Sequence, residues 1–200
     1  MINCVVSRYK KNVDWVYKLK NVKLYIYDKE VPENEYNIPV NKGNEASVYL
    51  KYIIDNYDNL SDFTFFIHDE EYAWHHSGSI IDLLDEAVVS NKLYYNINEN
   101  CINSMNDVLI CCNKNDWTND FKNWYNTYIE MYVPFNSLDL AKIYRNCAQF
   151  LVHKSLITKL PLEFYEKLYN WIISTDMANA ESGRFLEWTW HIFFDIYPNL

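Results

Sequence analysis

Apolar and polar positions alternate in two rhythms along the chain. Residues 2–7 (INCVVS) and 63–67 (FTFFI) are short apolar or β-rich runs, and 22–28 (VKLYIYD) alternates. All three predict strands. Between them, Asp14, Trp15, Val16 and Leu19 outline a short amphipathic stretch. Residues 46–57 (ASVYLKYIIDNY) carry apolar side chains at 46, 49, 50, 53 and 54, which is helical spacing. A helix over 77–90 follows the third strand, with Ile80, Ile81, Leu83, Leu84, Ala87 and Val88 on its apolar face. Beyond it, 93–97, 107–112 and 146–152 read as strands and 113–132 as partly helical. Residues 162–174 (LEFYEKLYNWIIS) and 183–197 (GRFLEWTWHIFFDIY) read as helices. Strand, polar turn and helix in repeated succession predict an α/β fold. With no internal repeat and no linker, one domain is expected.

Composition narrows the classes. Half of the 200 residues are apolar and 18% are aromatic, enough for a substantial core, and only 3 Gly and 5 Pro occur. The net charge of −9, without a basic stripe, argues against nucleic-acid binding. No run of eighteen apolar residues predicts a membrane span. The first residues lack the charged region of a secretory signal, so a soluble, cytoplasmic protein is expected. Cys4, Cys101, Cys111, Cys112 and Cys147 fit no zinc template and read as free thiols of a reducing compartment.

The chemistry is concentrated after the third strand. His68, Asp69, Glu70, Glu71, Trp74, His75 and His76 crowd into nine residues at the end of an apolar run. This is the look of the carboxyl edge of a buried parallel strand, where open α/β sheets bind ligands. Carboxylates there need a metal ion or a cationic partner to offset their charge; a solvated acidic turn is the plainer alternative. The histidines suit either metal binding or structural hydrogen bonds, and a zinc site with Asp69 would support hydrolysis. It lacks the helical H-E-x-x-H spacing.

Several blocks occur together in this chain: SRYKKNVDW, NKGNEASVYLKYIIDNYDNL, FFIHDEEYAWHH, CAQFLVHKSLI followed by EFYEKLYNWI, and SGRFLEWTWHIFF. Through them the sequence resembles the domain of unknown function 3431 family, from near residue 5 to near residue 194. That family looks related to nucleotide-sugar-dependent glycosyltransferases of the GT-A type. The resemblance implies a GT-A-like, mostly parallel central sheet flanked by helices. It implies transfer of a sugar from a UDP- or GDP-sugar to a glycan or glycoprotein acceptor, with Mn²⁺ or Mg²⁺ as cofactor. A non-catalytic nucleotide- or carbohydrate-binding domain of the same fold, and a metal-dependent hydrolase, are the alternatives.

On this reading Asp69 and Glu71 supply a D-x-E variant of the metal element. Arg8 and Tyr9 end strand one, where Tyr would stack on the base and Arg approach phosphate. Asp28, at the end of strand two, meets the base or ribose, or serves a turn. In the NKGNEA loop, Asn41 and Glu45 face the donor, or Glu45 caps the helix. His68, His75, Gln149 and Arg184 complete the nucleotide and sugar contacts. Glu187 and His191, at i and i+4 of the last helix, read as catalytic base and partner, or as a buried pair that locks that helix. Gly183 would let backbone approach a ligand.

Overall fold

The computed structural model describes residues 1–31 and 35–197; Pro32 of the second loop lies outside them. Strands β1 (Ile2–Arg8), β2 (Val22–Asp28) and β3 (Phe63–His68) form where the apolar runs predict them. Three further strands are shorter: β4 (Tyr94–Asn96), β5 (Ile102–Ser104) and β6 (Ile143–Arg145). The last strand is β7 (Phe150–His153). The main sheet has the order β2-β1-β3-β7-β4, and β5 pairs with β6 separately.

β1 pairs in parallel with β2 and β3, whereas β7 is antiparallel to both β3 and β4. The pairings divide evenly, so the sheet is mixed rather than mostly parallel. β7 runs against the other four strands. It is reached by the long excursion through β5 and β6, not by a crossover helix. A short apolar run carries no information about direction.

The helices are α1 (Ala46–Asn56), α2 (Ile80–Val89), α3 (Met105–Lys114), α4 (Thr118–Tyr128), α5 (Lys154–Ile157), α6 (Leu162–Ser174) and α7 (Asn179–Glu187). They bury the sheet on both faces. Val5, Phe66, Phe150 and Val152 point to one side, into a core shared with Tyr49, Ile53, Leu168, Ile172 and Trp190. Cys4, Val6, Phe65, Ile67 and Leu151 point to the other, onto Ile80, Leu84, Ala87 and Val16. The strict alternation is the period-2 geometry of a strand, and burial of both sets explains the unbroken apolar runs. Among the described residues, no helix is long and apolar enough to cross a membrane.

Local chemistry overrides three expectations. Residues 107–112 lie inside α3, because Ser104 accepts the Asp107 N–H while the Asp107 carboxylate accepts from the Ser104 N–H. This capping box starts a helix whose buried Met105, Val108 and Cys112 follow helical spacing. The strand expected at 146–152 begins only at Phe150, since Cys147 is held at φ +63°. The helix expected over 183–197 is α7 through Glu187, then a π-turn over Ile192–Ile196. Thr189 donates its hydroxyl to Phe185 O at the junction (2.8 Å).

Candidate functional site

A cleft of about 390 Å³ opens where β1, β2 and β3 end. The order β2-β1-β3 puts the chain's change of direction at β1, the topological position where open α/β sheets take ligands. The turn after β1 supplies Tyr9 and Lys11, the turn after β2 supplies Lys29, and His68 at the end of β3 is followed by Asp69 and Glu70. Asn44 and Glu45 enter from the start of α1, Cys147 and Ala148 from the approach to β7, and Arg184 and Glu187 from α7. The Tyr9 N–H donates to Asp69 Oδ2 (2.7 Å), tying the ends of β1 and β3 together.

Two carboxyls dominate the electrostatics. Burial pushes Glu45 up to about 8, reinforced by the Glu187 carboxylate and opposed by Lys29 and Arg184. Glu45 makes no capping hydrogen bond, although it stands immediately before α1. Glu187 is also raised by burial and pulled back by Arg184, whose Nε lies 3.2 Å from its Oε2. Burial lowers Lys29, opposed by Glu45 and Asp69, and its Nζ donates to Asn44 O (3.1 Å). Carboxyls that share a partly dehydrated cleft titrate as a set, above the ordinary carboxylate range.

This gives a stability signature. Between the usual carboxylate range and about 8, folded Glu45 keeps a proton that the unfolded chain releases. Stability therefore falls as pH rises through that window. Glu45→Gln is expected to flatten the decline: its Tm relative to wild type should climb from about pH 5 to about pH 8. Parallel melting curves that keep a constant offset would contradict the assignment.

The histidines serve each other. His68 Nε2 and His75 Nε2 stand 2.8 Å apart, one donating and one accepting. Burial, aided by the neighbouring imidazoles, pushes His68 down to about 3 and His75 down to about 4, so both are neutral at pH 7. His76 is buried beside them, its ring 5.2 Å from that of His75.

The structure gathers Tyr9, Glu45, His68, Asp69, His75, Arg184 and Glu187 of the expected set in this cleft. The others have different work. Arg8 pairs with Asp28 and donates its Nε to Lys11 O (2.8 Å), so these two close the ends of β1 and β2. Asn41 lends its carbonyl to Asn179 Nδ2 (3.3 Å), and Gln149 Oε1 accepts from the His68 N–H (3.3 Å). Glu71 accepts from Ser79 Oγ (2.8 Å) at the start of α2. His191 stacks on Tyr144, 4.4 Å between ring centres, and lines a separate cavity with Lys142 and Arg145. Its pKa is pushed down to about 3 by burial and by Lys142. Gly183 does allow a close approach, but to the 43–44 loop: a Cβ there would stand 3.1 Å from Gly43 O.

Of the expected metal pair, Asp69 lines the cleft and Glu71 does not. Asp69 Oδ2 receives the Tyr9 N–H, Glu70 pairs with Lys11, and Glu71 is turned to Ser79. Among the described residues, no group of three or more His, Cys, Asp or Glu is placed to hold a metal. Lys11, Lys29 and Arg184 are the cations that the cleft itself offers. Lys29, which the sequence reading passed over, directly follows Asp28 at the end of a strand, the one signal that marked it.

One family model matches the chain, over residues 4–199; its description is protein of unknown function (DUF3431). No curated protein and no solved structure matches.

Proposed function

The chain belongs to the DUF3431 family, and we propose, on that family's likeness to GT-A-type glycosyltransferases, that the cleft binds a UDP- or GDP-sugar. In this reading it transfers the sugar to a hydroxyl of a glycan or glycoprotein. The observation that carries the reading is the half-buried pair Glu45 and Glu187, sharing one cleft with Tyr9, Lys29 and Arg184 at the ends of β1 to β3. The GT-A-type assignment of the mixed sheet belongs to the same reading, as does a cytoplasmic setting for the free thiols.

The roles follow from chemistry. Tyr9 is 40% exposed, with Lys10 and Lys29 ammonium groups 4.9 and 5.6 Å from its ring centre. Its ring would take the nucleotide base, and the lysines the adjacent phosphates. Lys11, Lys29 and Arg184 neutralise the leaving diphosphate, the charge that Mn²⁺ or Mg²⁺ was expected to carry. Glu187 accepts the proton of the acceptor hydroxyl. That oxygen bonds the anomeric carbon, and the carbon–diphosphate bond breaks.

Thermal shift tests the binding step. A UDP- or GDP-sugar at about 100 times its Kd should raise Tm by on the order of 5 °C. Lys29→Ala and Tyr9→Ala should remove most of the rise. If neither nucleotide moves Tm, with or without Mn²⁺, the reading fails. A rise that requires Mn²⁺ and is lost in Asp69→Ala would return the metal to the site. Binding without sugar turnover would point to the non-catalytic alternative.

A further inference from the structure

We propose that a second, smaller cavity beside the cleft is the subsite for one ring of a neutral acceptor carbohydrate, with Trp74 as its stacking platform. The proposal rests on the donor reading of the larger cleft. The cavity measures about 200 Å³, roughly half the volume of the cleft, and shares Trp74, Cys147, Arg184 and Glu187 with it. Glu187 therefore borders both spaces. A base that must take a proton from an acceptor and face the donor's anomeric carbon needs this position.

The charges of the smaller cavity are already matched. Arg184 pairs with Glu187, and Asp107 accepts from Ser104 Oγ (2.6 Å). The larger cleft sets Lys11, Lys29 and Arg184 against Glu45, Asp69, Glu70 and Glu187. The smaller space therefore suits a neutral polyol. The walls agree. Trp74 is 74% exposed, whereas Trp15, Trp124, Trp188 and Trp190 are all buried. Its ring meets His75 edge-on at 5.4 Å, and His75 is fixed by His68. An indole held in place with a free face suits the apolar face of a sugar ring. Trp188 also lines the cavity, and the Asn103 amide donates to the Cys101 sulfur (4.0 Å), a weak partner that a sugar hydroxyl would replace.

In the resulting geometry the acceptor oxygen reaches from the smaller cavity past Glu187 to the anomeric carbon. Its proton goes to Glu187, the new carbon–oxygen bond forms, and the diphosphate leaves with the old bond's electron pair toward Lys11 and Lys29.

The test compares wild type with Trp74→Ala, Trp74→Phe and Asn103→Ala by binding to a printed glycan array, alongside the nucleotide thermal shift. Wild type should bind a set of neutral glycans. Trp74→Ala should lose at least tenfold of that signal, Asn103→Ala should weaken it, and Trp74→Phe should keep most of it. The nucleotide shift should be the same in wild type and Asn103→Ala, since Asn103 lines the smaller cavity and not the cleft. Equal glycan binding by Trp74→Ala, or no neutral glycan bound by wild type, overturns the proposal. So does loss of the nucleotide shift in Trp74→Ala, which would make Trp74 a donor contact. A wild type that binds glycans but shows no nucleotide shift would instead sink the donor reading, and this second inference with it. Because Trp74 is exposed, its variants should keep the wild-type Tm without ligand.

Discussion

Gly43→Ala is expected to cost on the order of 3 kcal/mol of stability and to lower Tm by roughly 10 °C. Two independent costs meet at this position. Gly43 sits at φ +66°, where an L side chain pays about 1 to 2 kcal/mol. A Cβ would also stand 2.1 Å from Ile172 Cδ1 and 2.3 Å from Ile172 Cγ1. Ile172 is fully buried on α6, so it has no solvent to swing into, and overpacking of this kind costs about 1 to 3 kcal/mol. Gly78→Ala is the control: φ is +88°, but nothing lies within 4 Å of its would-be Cβ. It should cost only about 1 kcal/mol. Ile172→Ala deletes both clashing atoms, so the double variant should be less unstable than the sum of the singles. Equal melting of Gly43→Ala and Gly78→Ala would refute the steric account. The consequence reaches the site, because Gly43 fixes the loop that delivers Asn44 and Glu45 to the cleft.

How far such features were legible in the sequence depends on how local their cause is. β1, β2 and β3 are where the apolar runs place them, because burial on both faces leaves a pattern that one strand carries by itself. The capping box Ser104-x-x-Asp107 was equally readable and should have outweighed the apolar look of 107–112. The direction of β7 was not readable, since it depends on the path of some fifty residues before it. The same division runs through the site. The sequence pointed to the edge after β3, and Asp69, His68 and His75 do line the cleft. The pairing of Asp69 with Glu71 assumed extended backbone, where i and i+2 share a side. The chain bends there instead, sending Glu71 to Ser79 and Glu70 to Lys11. Arg8 and Asp28 were both placed at strand ends, but the parallel register puts them side by side, so they neutralise each other. Glu187 and His191 were joined by helical spacing that stops at α7's end. The partners of Glu70 and Arg8 lie 59 and 20 residues away, so residue type and position alone could not show them.

Glu187→Gln is expected to lower the transfer rate by about 10²- to 10⁴-fold while leaving stability unchanged or slightly improved. Gln is nearly isosteric and keeps an oxygen for the Arg184 Nε–H, so the local packing of α7 persists. It removes a largely buried carboxylate whose pKa is raised by dehydration, so the folded state loses a charge that it held at a cost. Alanine would be a poorer probe, since it would leave Arg184 without its partner. The raised pKa also fixes a pH signature. Transfer by wild type should rise with pH as Glu187 loses its proton, with the acid limb above the ordinary carboxylate range. In Glu187→Gln that limb should vanish, leaving a low, flat rate. In Glu45→Gln it should move toward lower pH. Glu45, pushed up to about 8, shares proton uptake with Glu187, and removing one carboxylate makes the other easier to ionise. The nucleotide thermal shift should survive in Glu187→Gln, because Lys11, Lys29 and Tyr9 are untouched. A variant that binds nucleotide but transfers within twofold of wild type would move the base elsewhere in the cleft. Glu45 would be the next group to examine, since it is the other raised carboxyl of the cleft.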